Sequence, residues 1–173
     1  MALLRLLLLV LLLPFLLLLR LFAGKREDMA FLPEDHPEMA KAIADARASL
    51  DEFRRHLAAP GAGMGDFALK VKFPVASCDG GCEHIWVDHL EARGTGFTGK
   101  LANHPNSIPN VTLGSPVEVD EHLITDWAYC ENGVFRGHHT TRVLLPHMSK
   151  KMRKRVEETF GWGPTDVAAV EKP

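Results

Sequence analysis

The stretch CDGGCEHIWVDHL, residues 78–90, sets two cysteines around a tight Asp-Gly-Gly turn and follows them at once with a glutamate and a histidine. Three chemistries fit the sulfur atoms. Cys78, Cys82 and His84, with Cys130 further along, are the right kinds of ligand for zinc, although their spacing matches no common zinc pattern. Cys78 and Cys82 are close enough in sequence to close a disulfide outside the cytoplasm, which would leave Cys130 unpaired. The third reading is three reduced thiols, two at a turn and one in a strand. All three stay open at the level of sequence.

The acids raise a second question. Side chains of a strand alternate between its faces. Over residues 83–90, Glu83, Ile85, Val87 and His89 share one face, and His84, Trp86, Asp88 and Leu90 the other. Over residues 123–130, Leu123, Thr125, Trp127 and Tyr129 oppose Ile124, Asp126, Ala128 and Cys130. In both strands a carboxylate shares a face with apolar residues. If those faces are buried, Glu83 and Asp126 must find a cation or several donors, or become neutral. Candidate partners are His84, Arg136, His138 and Arg142. In one reading, Glu83, His84 and Asp126 form an acid–base group. In the other, Glu83 sits at a strand mouth and Asp126 binds local backbone amides, bracing a loop. The second is favoured, because structural interactions also perturb carboxylates.

The remaining motifs carry less chemistry. His138 and His139 are adjacent, so a regular strand points them to opposite faces. The histidines show no H-x-x-x-H spacing, and neither a Gly-x-Ser-x-Gly elbow nor a Gly-rich phosphate loop occurs. Five of the six residues 150–155 are basic. That run reads first as a solvated helix face and second as a contact for anionic lipid. Interleaved aromatics are missing and net charge is −2, so nucleic acid is not an expected partner. No cofactor is expected.

The elements that must position these residues begin after a leucine run. Residues 6–19 form an uncharged stretch of 14 residues, the length of a signal-peptide core. If Arg5 and Arg20 snorkel, the span just crosses a bilayer. Leu21 makes a poor cleavage site after Ala23, which favours an uncleaved anchor. Residues 1–23 are therefore expected to be a membrane anchor or signal peptide at a bacterial inner membrane, with a periplasmic product if cleaved. A linker over 24–33, one domain over 34–160 and a flexible tail over 161–173 complete the plan.

Within the domain, Asp35, Pro37 and Glu38 suggest a capped helix start. Met39, Ile43, Ala46, Leu50, Phe53 and Leu57 then form one apolar stripe, too short for a coiled coil. Residues 67–73 alternate as a half-buried strand, and a hairpin leads to 83–90. Further strands are expected over 96–101, 117–119, 123–130, 134–135 and 140–145. Pro146 is expected to open a C-terminal helix with Met148, Met152, Val156 and Phe160 on its apolar side. The fold class is α+β: a curved antiparallel sheet of about five to six strands, with an N-terminal and a C-terminal helix on one face, preceded by the hydrophobic N-terminal helix.

Several of these pieces occur together in a known order. Glu83-His84-Ile85-Trp86-Val87, Phe97-Thr98-Gly99, Leu101-Ala102-Asn103-His104-Pro105, Ile124-Thr125-Asp126-Trp127-Ala128-Tyr129, and Gly133 and Gly137 before Thr140 resemble the YegJ-like family, a bacterial domain of unknown function. The likeness spans roughly residues 66–146, about half the chain. It implies a small α+β domain, often exported or attached to other modules, and no activity or cofactor. The cysteines and His138-His139 stand outside its pattern. Trp86 and Trp127 read as large anchors that pack together across strands. The functional expectation is a non-enzymatic module binding a protein partner through the 104–109 loop, with Trp86, Asn103 and Trp127. The rival is a small hydrolase-like or metal-dependent enzyme using Glu83, His84 and Asp126.

Overall fold

The computed structural model describes residues 32–75 and 81–163. The N-terminal run expected as an anchor, most of the linker, Cys78 with its turn and residues 164–173 lie outside the described residues. So does one half of the expected Cys78–Cys82 disulfide. Among the described residues no helix is long and apolar enough to cross a membrane.

The apolar stripe forms two helices, α1 (Pro37–Ala48) and α2 (Leu50–Ala58), rather than one. Pro37 opens α1, but the expected capping box does not form, because the N-cap is His36 and no side chain bonds there. The break falls at Ser49. Its hydroxyl bonds the carbonyls of Asp45 and Ala46, competing with the helical ladder. The Trp127 indole N–H donates to the same Ala46 carbonyl at 2.9 Å. The stripe survives the break, and Met39, Ala46, Leu50 and Phe53 are buried.

Six strands follow: β1 (Met64–Pro74), β2 (Cys82–Arg93), β3 (Gly96–Leu101), β4 (Pro116–Val119), β5 (Ile124–Glu131) and β6 (Val134–Gly137). They make one open antiparallel sheet in the order β4-β3-β2-β1-β5-β6. The fold is α+β. Phe53, Leu69, Val71, Ile85, Val87, Phe97, Trp127 and Tyr129 form the main core between the sheet and the first two helices. Helices on one face were expected, but the sheet is covered on both. Ala128, Phe135, Val156, Phe160 and Trp162 form a second cluster, with Trp86 packed against it. Trp86 and Trp127 therefore do not pack together. Lys70 lies opposite Trp86 and Asp126, whereas Leu69 lies opposite Val87 and Trp127, so the two indoles point to opposite faces.

Two bulges reset the simple alternation. The β2–β3 register shifts between Asp88 and Glu91, where His89 has φ +49°, and Leu90 returns to the main core. The β1–β5 register shifts at Lys70 and Val71, leaving Thr125 as the extra residue and burying Ile124 beside Trp127.

The expected strand over 140–145 is a helix, α3 (His139–Leu144). Gly137 (φ +73°) and His138 (φ +53°) turn the chain out of the sheet. A Cβ at Gly137 would collide with the Trp127 carbonyl and ring, so only glycine fits. Pro146 lies in a short 3-10 turn, Leu145–His147, and the last helix, α4 (Lys150–Phe160), starts later under a Ser149 cap. The domain also runs past residue 160. Gly161 ends α4 in the left-handed conformation, and buried Trp162 donates its indole N–H to the Phe135 carbonyl at 2.8 Å. Trp162 thus belongs to the second cluster rather than to a loose tail.

Candidate functional site

Glu83 lies near the start of β2, one residue after Cys82, and faces a loop rather than another ionisable group. Its Oε1 accepts from the Asn106 backbone N–H at 2.8 Å and side-chain amide at 2.9 Å, and its Oε2 from the Ser107 N–H at 2.9 Å. One carboxylate thus fixes the irregular 104–109 segment. Asn103 secures the near end of the same loop. Its side-chain oxygen accepts from the Trp86 N–H at 2.8 Å, while the Ala102 N–H donates to the Trp86 carbonyl. Beyond these anchors His104, Asn106, Ser107, Pro109 and Asn110 are exposed.

Asp126 is fully buried on β5. Oδ1 accepts from the backbone N–H groups of Trp127 and His139, and Oδ2 from the N–H and hydroxyl of Thr140 at 2.8 and 2.6 Å. The free N–H groups at the start of a helix favour a negative charge there. The carboxylate therefore holds the first turn of α3. Thr140 also receives the Lys70 ammonium at 3.2 Å. Burial pushes the Lys70 amine below the usual lysine range, and Asp126 and Glu34 act against that shift.

The three residues of the acid–base reading are not brought together. Glu83 lies opposite Phe73 and Asp126 opposite Lys70, across β1 from each other and three residues out of step. His84, next to Glu83, points to the other face. Its Nδ1 lies 3.1 Å from the Thr125 hydroxyl, and its Nε2 2.5 Å from Glu34 Oε1. Burial first, then the Lys70 charge, hold the imidazole below its usual range against the pull of Glu34. Burial alone would raise the Glu34 carboxyl, but the Lys72 hydrogen bond and the His84 and Lys72 charges bring it below the usual range. Lys72 sits 2.5 Å from Glu34 Oε2.

Of the zinc set, Cys82 and His84 are neighbours, with Sγ 3.8 Å from Nε2. Cys130 is elsewhere: it lies opposite Gly65 at one end of β1, whereas Cys82 lies opposite Pro74 at the other. The two are roughly 30 Å apart along the strand at the usual rise per residue. Cys82 is an exposed free thiol and Cys130 a half-buried one whose pKa burial raises. Among the described residues, Glu34, Cys82 and His84 form the group with ligand atoms within 4.8 Å of one another.

Trp127 is 3 % exposed. Its edge lines a shallow groove of about 510 Å3, with Tyr129, Arg136 and His139. Trp86 is half-buried, its ring tilted against that of His138 with centroids 5.0 Å apart. Sequence reasoning missed Glu34, Thr125 and Asn106. It also passed over Lys70 and Lys72, which share a face with His84 across the β1–β2 hairpin. Glu34 had no local signal, because it reaches the site from the segment before α1.

An open sheet with both candidate acids bound to amides defines a small α+β scaffold carrying a braced surface loop. The chain belongs to the family described as "Uncharacterized protein conserved in bacteria (DUF2314)", which matches residues 36–163. It is also 35% identical over 100 residues to a putative ankyrin repeat protein of Neisseria meningitidis serogroup B (strain ATCC BAA-335 / MC58). That match covers 57% of this chain and 39% of the relative, so the chain spans well under half the relative's length. No solved structure matches the chain.

Proposed function

We propose that this domain is a non-enzymatic interaction module that presents the 104–109 loop to a protein partner. The observation that carries this reading is the fate of Glu83. A carboxylate that accepts three hydrogen bonds from one loop is spent on shaping that loop, and a pre-shaped loop loses less entropy on binding. The relative named for ankyrin repeats supports the same reading, since stacked repeats of that kind build extended binding surfaces. The module is held at a bacterial inner membrane by residues 1–23, or freed into the periplasm if that segment is cleaved. Its place among YegJ-like domains rests on the motifs of β2, β3 and β5.

The test uses the full-length chain with a photo-crosslinking residue at Asn110, in native membranes. The wild type is expected to give one specific crosslinked product. Glu83→Gln replaces one acceptor oxygen with a donor that faces N–H groups, which costs about 1 kcal/mol at this partly exposed site. Melting should fall only slightly while the crosslink drops about tenfold or more. Equal crosslinking by the variant would overturn the reading. So would a hydrolytic activity of the purified chain that His84→Gln abolishes.

A further inference from the structure

We propose that Glu34, Cys82 and His84 form a binding site for a single late first-row divalent metal ion, with zinc the natural occupant. This site is independent of the 104–109 loop.

The geometry of His84 carries the proposal. The Thr125 hydroxyl has one proton, and it goes to the Lys70 carbonyl at 3.2 Å. With the proton there, its oxygen is an acceptor, and His84 Nδ1, 3.1 Å away, is the donor in the tautomer that satisfies both contacts. In the neutral ring this leaves a lone pair on Nε2. That lone pair looks at Glu34 Oε1 from 2.5 Å, and Oε1 is buried with no partner besides this imidazole. Two electron pairs at that separation repel unless a proton or a cation lies between them. The Cys82 sulfur, 3.8 Å from the same nitrogen, supplies a third donor that a shared proton would not need.

Thiolate, imidazole and carboxylate together favour zinc and its neighbours over magnesium or calcium, which prefer oxygen alone. The Thr125 contact is the outer bond that metal-bound histidines commonly make, fixing ring and tautomer. Tetrahedral zinc would open the Glu34–His84 contact to about 3.3 Å, which Glu34 can reach from its turn before α1. Three protein ligands leave a fourth position for water. Lys72 stays on the second Glu34 oxygen, and Lys72 and Lys70 both oppose the ion, so binding should be weaker than in a closed structural zinc site.

The experiment titrates Co2+ into the full-length chain, purified in detergent and stripped with a chelator. One equivalent of Co2+ should produce sulfur-to-cobalt charge-transfer absorption, and Zn2+ should displace it. Cys82→Ser should abolish that absorption. Glu34→Gln and His84→Gln should weaken binding at least tenfold, and Thr125→Val by roughly tenfold. Cys130→Ser should change nothing. Circular dichroism establishes that each variant is folded, and Cys82→Ser, at an exposed position, is the one that decides the matter. Absence of the charge-transfer band in the wild type, its survival in Cys82→Ser, or its loss in Cys130→Ser would each overturn the proposal.

Discussion

Asp126→Asn is expected to destabilise the domain by about 3 kcal/mol, a loss of roughly 10 °C in melting temperature. The carboxylate is fully buried and accepts four hydrogen bonds, three from backbone N–H groups and one from a hydroxyl. Asparagine keeps the shape but offers one acceptor oxygen instead of two. Its NH2 group must then face donors, leaving at least one buried N–H unsatisfied, and the half-buried Lys70 ammonium loses its nearby negative charge. The damage should concentrate in α3, whose first turn hangs on this side chain. Hydrogen exchange at His139 and Thr140 should therefore accelerate more than exchange in β2. A companion Thr140→Val removes one hydroxyl donor and should cost about 1 kcal/mol. The double variant should lose less than the sum of the two, because the residues share a bond. A melting change for Asp126→Asn within a degree or two of the wild type would show that the α3 turn holds itself.

The same residue shows what sequence could and could not reveal. Period-two patterning made the β1–β2 hairpin legible, and the apolar stripe of α1 and α2 could be read residue by residue. The segment after His138 could not. Thr140, Thr141, Val143 and Leu144 are β-branched or apolar and read locally as a strand. They form a helix because Asp126, 13 residues before His139, caps its amides from the neighbouring strand. Tertiary context overrode propensity there. The Ser49 break has a similar origin, for it depends on an indole arriving from β5. The Glu83 and Asp126 carboxylates could be picked out as acids in apolar company, but their partners follow from the fold. Loop 104–109 and the turn into α3 approach them only once the sheet has formed. The His84 cluster was half visible for the same reason: Cys82 and His84 were singled out together, while Glu34 enters from a distant segment.

A second large effect is expected at acid pH. His138 caps α3 with its ring enclosed by Trp86, Phe135, Phe160 and Trp162, the nearest centroid being Phe160 at 4.3 Å. Burial first, then the charges of Arg142, Lys70 and His139, push its pKa down to about 3. An unfolded histidine titrates near 6.5. Between those values the unfolded chain holds a proton that the folded chain does not, so stability rises with pH across the window. The contribution is fully present above about pH 6.5 and is lost as pH falls towards 3, at about 1.4 kcal/mol per pH unit. The whole window is worth on the order of 5 kcal/mol, enough to unfold a domain of ordinary stability. His138→Asn isolates this term. Asparagine tolerates the left-handed backbone at this position but leaves the aromatic cage unfilled, so the variant should be weaker than the wild type at pH 7.5. It also cannot take up a proton. Urea unfolding from pH 7.5 to 4.5 should therefore show the gap between wild type and variant closing steadily below pH 6.5. Parallel curves would mean that the wild type carries no such burden, and that the cage opens to admit a charged ring.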